Sequence, residues 1–118
     1  MPIQNWSERI LLVTLSDDPQ FTDDMNGVTE LVKQRGGGDV LVDFTEVNFL
    51  NSSNIAKLLK LRKMLTSTHP GRMELCCVGT SVWGVFLVTG LDKLFEFADD
   101  VATGLTSLQL ESGPPNKR

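Results

Sequence analysis

At 118 residues the chain has the length of one domain, long enough to bury a single core. Its 41% hydrophobic and 22% charged residues are those of an ordinary soluble globular chain, and no apolar run approaches a membrane span. The net charge of −4 and pI of 4.8 argue against nucleic acid as the partner, because binding phosphates needs a clustered excess of Lys and Arg.

The amino-terminal MPIQNWSERILLV is not a secretory signal, since Glu8 and Arg9 interrupt it and no small-residue cleavage site follows. A cytoplasmic protein is expected, and Trp6 is placed on an edge segment. The apolar run ILLVTL over 10–15 reads as a central strand, and Ser16-Asp17-Asp18-Pro19 as the loop that follows it. Phe21, Met25, Val28 and Val32, spaced four, three and four apart, form a helix stripe. That helix starts at Asp18-Pro19 or at Thr22, and Gly36-Gly37-Gly38 ends it. Val40, Leu41 and Val42 then make a second buried strand.

The stretch 43–65 organises the rest. Its first half, DFTEVNFL, reads as buried strand, and its second half is an amphipathic helix with Ile55, Leu58, Leu59 and Leu65 on the apolar stripe. Lys57, Lys60, Arg62 and Lys63 lie off that stripe. Asn51, Ser52 and Ser53 occupy the junction, where the first-turn N–H groups have no intrahelical acceptor. Such a place suits a cap or an anion. The side chain of Ser52 is expected to face the protein or to serve as that cap.

Thr68-His69-Pro70-Gly71 reads as a turn, and MELCCV over 73–78 as a third buried strand. Neighbouring cysteines on a strand point to opposite faces, so Cys76 and Cys77 are expected as two packed thiols without a disulfide. After Ser81 a short helix presents Val82, Val85, Phe86 and Val88, with Trp83 more suited to core than to interface. Thr89-Gly90-Leu91-Asp92 breaks it. Phe95 and Phe97 alternate around Glu96 as a short strand, and Asp99 and Asp100 cap a last helix carrying Val101, Leu105 and Leu108. Strands and helices alternate over short connections, which predicts one α/β domain over 1–110, a small, mostly parallel mixed sheet with helices packed on it. Residues 111–118 are a flexible polar tail.

Little in this pattern supports an enzyme. His69 falls at the far end of a helix about 20 Å long from Ser53, at ~1.5 Å per residue, so a Ser-His pair is implausible. Asp17, Asp18, Asp23 and Asp24 lack the alternation and glycine of a calcium loop and read as a solvated helix start. Gly36-Gly37-Gly38 leads into a strand, not into the helix a phosphate cradle needs. No metal ligand set and no cofactor site is predicted.

Two stretches carry a resemblance. Asp43-Phe44-Thr45-Glu46-Val47-Asn48-Phe49-Leu50-Asn51-Ser52-Ser53 resembles the signature of the STAS family, named for sulphate transporters and anti-sigma-factor antagonists, in which Asp-Ser-Ser-Gly opens a helix. Val85 to Phe95, containing Thr89-Gly90-Leu91-Asp92, is similar to that family's Thr-Gly-Leu-Asp-x-Leu-Phe segment. The resemblance implies a phospho-switched binding module of the anti-sigma-factor antagonist branch. Ser53 would be the residue phosphorylated by a serine-kinase anti-sigma factor, and a serine phosphatase would restore binding. Asn51, Ser52, Ser53, Asn54 and Lys57 would meet that partner. The family's Asp and Gly are Asn51 and Asn54 here, and the first loop lacks its Gly-Glu-Leu-Asp pattern. The rival implied by the same family is a scaffold that is never phosphorylated, a stressosome-type or transporter-associated subunit.

Overall fold

The computed structural model describes residues 2–111; the tail predicted over 111–118 lies outside these residues except for Glu111, which closes the last helix. Strands β1 (Ile3–Asn5), β2 (Ile10–Ser16), β3 (Asp39–Glu46), β4 (Met73–Cys76) and β5 (Glu96–Ala98) form one sheet in that spatial order. β1 runs antiparallel to β2, and all other neighbours are parallel. Helices α1 (Gln20–Arg35), α2 (Ser52–Thr66), α3 (Thr80–Thr89) and α4 (Val101–Glu111) alternate with the strands, with a 3₁₀ turn at Leu91–Lys93. This is the α/β fold expected, with a mixed sheet whose single antiparallel pair is at the β1 edge.

The two-residue period of the strands decides which helix covers which face. Leu11, Val13, Leu15, Val40, Val42, Phe44, Met73 and Leu75 point to one side. There they meet Phe21, Met25, Val28 and Val32 of α1, Leu58, Leu61 and Leu65 of α2, and Val82 and Phe86 of α3. Phe44 lies edge-on to both Phe21 and Phe86, at centroid distances of 6.4 and 6.1 Å. Ile10, Leu12, Leu41 and Cys76 point to the other side, under Leu108 of α4. α4 can approach that face because residue 104 is glycine: a Cβ there would lie 2.7 Å from Leu41 Cδ1. Gly71 is equally constrained, since its Cβ would lie 1.7 Å from the Gly38 carbonyl oxygen.

Four expectations about burial are corrected. The strand read through 43–50 stops at Glu46, because the Val47 N–H turns back to the Phe44 carbonyl (3.0 Å), and Phe49 beyond it is 74% exposed. The inward stripe of α2 is Asn54, Leu58, Leu61 and Leu65, while Ile55 and Leu59 are half-buried. α3 is apolar nearly all round, so composition could not set its phase; Val82 and Phe86 are buried, and Val88 is 88% exposed. Ser52 neither faces inward nor caps: Asn51 is the cap, and Ser52 is exposed at the first helical position. Trp83 packs on Phe97 with ring centroids 4.9 Å apart, as a core aromatic would.

Candidate functional site

The carboxyl ends of β2, β3 and β4 and the N-termini of α1, α2 and α3 share one edge of the sheet, where open parallel sheets gather their functional groups. The β3–α2 loop lies in the middle of that edge. Asn51 closes a capping box: its Oδ1 accepts from the Asn54 N–H (2.8 Å), and its own N–H donates to Asn54 Oδ1 (3.1 Å). Ser52 and Ser53 follow with both side chains exposed. Their N–H groups, in the first turn, have no intrahelical acceptor. The inward stripe fixes what Ser53 faces. It lies on the outer stripe with Ala56, Lys60 and Lys63, all exposed, and Lys57 follows one turn later at i+4. The Lys57 ammonium donates to Asn26 Oδ1 of α1 at 3.3 Å.

Two aspartates of the β2–α1 loop brace this start, and neither is the idle solvated group expected. Asp17 Oδ1 accepts from the N–H groups of Asn48 (2.8 Å) and Phe49 (3.2 Å), and its Oδ2 from Asn48 Nδ2 (3.0 Å). Those bonds to Asn48 and Phe49 hold the Asp17 carboxyl below its ordinary value. Asp18 Oδ2 accepts from Asn51 Nδ2 (3.1 Å) and Asn54 Nδ2 (2.9 Å), while its Oδ1 accepts from the Thr22 hydroxyl (2.7 Å) and N–H (3.0 Å). Hydrogen bonds from Thr22, Asn54 and Asn51, in that order, bring its pKa down to about 2. The asparagines that stand at the Asp and Gly positions of the recognised signature are therefore the donors this carboxylate needs. Phe49 is displayed on the braced loop three residues before Ser52. Asp17, Asp18 and the exposure of Phe49 were missed from sequence, since they depend on contacts 31 to 36 residues apart.

His69 lies at the other end of α2, where its N–H donates to the Met64 carbonyl and its ring meets the Thr68 hydroxyl. Among the described residues no histidine or carboxylate hydrogen-bonds Ser52 or Ser53. A cleft at the opposite edge of the sheet, lined by Arg9, Arg35, Asp39 and Arg72, has its cations engaged. Arg9 pairs with Asp39 (3.6 Å), Arg72 with Glu74 and Glu96, and Arg35 with Asn5 and the Glu8 carbonyl.

The thiols are free, as expected, but the face of Cys77 is not the one expected. β4 ends at Cys76, and Cys77 takes a left-handed conformation with φ 61°, which returns its side chain to the α4 side of the sheet. Cys76 is buried and Cys77 half-exposed, both as free thiols. With Asp43, the register partner of Cys76, they form a group whose ligand atoms all lie within 4.8 Å of one another. Burial, and then the Cys77 thiol beside it, push the Cys76 pKa far up.

A family model described as STAS domain matches residues 10–104. A candidate anti-sigma factor antagonist of Thermotoga maritima superposes with a TM-score of 0.76 at 14% identity, over 92% of this chain and 93% of that one. The anti-sigma factor antagonist SpoIIAA, in its unphosphorylated form, gives 0.72 at 18% identity and 97% of both chains. RsbS of Moorella thermoacetica, as a serine-to-glutamate variant, gives 0.73 at 14% identity, over 95% of this chain and 99% of that one. At these identities the likeness is one of fold. No individual curated protein matches the sequence.

Proposed function

The chain belongs to the STAS domain family, and on that footing we propose that it is an anti-sigma-factor antagonist-like regulator that binds a serine-kinase anti-sigma factor and is switched by phosphorylation of Ser53. The observation that carries this reading is the position of Ser53. It is an exposed hydroxyl at the second residue of α2, on a rigidly capped turn, with first-turn N–H groups unclaimed by the helix. A phosphate there adds about −1.5 to −2 charges. The helix end accommodates that charge, since the dipole and free N–H groups favour an anion, and Lys57 is within reach at i+4. A partner packed against Phe49, Asn51, Ser52 and Ser53 does not. It meets a doubly charged group on a surface that already carries Asp17 and Asp18, and it is released. A phosphatase resets the cycle, in a cytoplasmic setting and with no membrane insertion; no described helix is long and apolar enough to cross a membrane.

The experiment is co-incubation with candidate serine-kinase anti-sigma factors and ATP, read by intact mass, beside affinities of three variants. One added phosphate that disappears in Ser53→Ala is expected. Ser53→Ala should bind at least as well as wild type, Ser53→Asp more weakly, and Ser52→Asp should be the milder change. Equal affinity of well-folded Ser53→Asp and Ser53→Ala would sink the switch. The scaffold reading then leads, and one observation already favours it: Asn51 and Asn54 are committed to Asp18, where the family signature has Asp and Gly.

A further inference from the structure

We propose that Asp43, Cys76 and Cys77 form a binding site for one thiophilic divalent cation, zinc by choice, on the α4 side of the sheet and independent of the serine switch. Three observations meet here. The β3–β4 register sets Asp43 beside Cys76, both buried and both on the α4 face. Cys77, which on a continuing strand would point to the opposite face, is turned back by a left-handed φ of 61°, so that both thiols and the carboxylate lie within 4.8 Å of one another. Thr45 grips one carboxylate oxygen, its N–H and hydroxyl donating to Asp43 Oδ1 at 2.9 and 2.6 Å, which orients the group and leaves the other oxygen available as a ligand.

The left-handed conformation is the informative part. Glycine adopts it freely, and asparagine with modest difficulty, but a cysteine is disfavoured there. For the fold alone glycine would serve better at 77. A thiol kept in a backbone conformation that disfavours it points to use of the thiol. Two sulfurs and one oxygen select a borderline-soft cation over calcium or magnesium, which prefer all-oxygen shells. Tetrahedral zinc, with bonds of about 2.3 Å to sulfur and about 2.0–2.2 Å to oxygen, needs its ligands roughly 3.5–3.8 Å apart. Binding therefore requires the three to close from a spread of up to 4.8 Å to that distance. Three protein ligands leave the fourth position for water or an exogenous ligand. Each thiol gives up its proton as the sulfur–metal bond forms, so binding strengthens as pH rises.

The test uses the full chain, reduced and metal-free, titrated with cadmium as a spectroscopic probe and with zinc against a chromophoric chelator. One cadmium per chain with a thiolate-to-metal charge-transfer band is expected, together with a higher melting temperature. Cys77→Gly is the decisive variant, because glycine suits the left-handed backbone. It should melt no lower than metal-free wild type and yet lose the band. Asp43→Asn replaces a charged ligand and should weaken zinc binding by more than the roughly 10–100-fold that disturbing only the groups behind a ligand costs. No band in the wild type, or an undiminished band in Cys77→Gly, overturns the proposal.

Discussion

Truncating Leu58 tests the phase of α2, on which the direction of Ser53 depends. Leu58 is fully buried in the main core, between the sheet and the neighbouring helices. Leu58→Ala removes three buried carbons, worth about 2.4 kcal/mol at ~0.8 kcal/mol each. The surroundings include edge-packed aromatics that do not collapse freely, so a residual cavity adds about 1 kcal/mol at ~24 cal/mol per Å³. The expected loss is about 3–4 kcal/mol, or a melting temperature lower by roughly 12–16 °C for a domain of this size. Leu61→Ala should behave alike, being as deeply buried. Leu59→Ala, half-buried, should cost about 1 kcal/mol. The assay is urea and thermal unfolding followed by far-ultraviolet circular dichroism. If Leu59→Ala proves as damaging as Leu58→Ala, α2 is rotated from the position described, and Ser53 no longer shares the outer stripe with Lys60.

Two further outcomes concern the brace. Asn51→Ala removes the cap and should cost about 1 kcal/mol, within the usual 0.5–2; Asn51→Asp keeps a good cap but sets a carboxylate against Asp18, so its deficit relative to wild type at pH 7 should shrink as pH falls through the carboxylate range, and a variant as stable as wild type at pH 7 would refute the brace. Asp18, held at about 2 in the fold against 3.8 when free, stabilises fully above about 3.8 and loses that contribution as pH falls through 2. Asp17 shifts in the same direction, and Asp24, raised by burial and then by Asp23, in the opposite one. Wild-type melting temperature should therefore drop more steeply than that of Asp18→Asn between pH 4 and pH 2, and parallel curves would count against the assignment.

What was legible in the sequence was whatever runs or repeats along the chain. The apolar run over 10–15 marks a buried strand, Phe21, Met25, Val28 and Val32 recur at helical spacing, and one glycine triplet ends a helix, so element order and sheet type followed. The junction at Asn51-Ser52-Ser53 reads as a helix start from its composition, while the role proposed for Ser53 comes from the STAS resemblance and not from any period. The failures lie where no period constrains the answer. α3 is apolar on every side, and its exposed Val88 looks no different from its buried Val82. Cys77 was assigned to a strand face on the assumption that β4 continues, and a single left-handed residue reverses that assignment. Phe49 reads as strand because it is aromatic and follows Val47, but the strand has already ended in a turn closed by a side chain from another loop.

Asn54 shows how a departure from the family pattern is accommodated at the start of α2. It takes the first inward position of α2, one turn before Leu58, and is 2% exposed. A polar side chain there is tolerable only if its groups are bonded, and both are: Oδ1 accepts from the Asn51 N–H, and Nδ2 donates to Asp18. Glycine at this place would leave the start of the helix soft and the Asp18 carboxylate short of a donor. Asparagine instead fixes the rotation of the first turn from inside, and Ser53, one residue earlier and about 100° round the axis, is turned to solvent as a consequence. The same bonds keep Asp18 ionised beside the serine. On the proposed reading, a partner meets a standing negative charge here before any phosphate is added, and the charge it must tolerate is set by Asn54 as much as by Ser53.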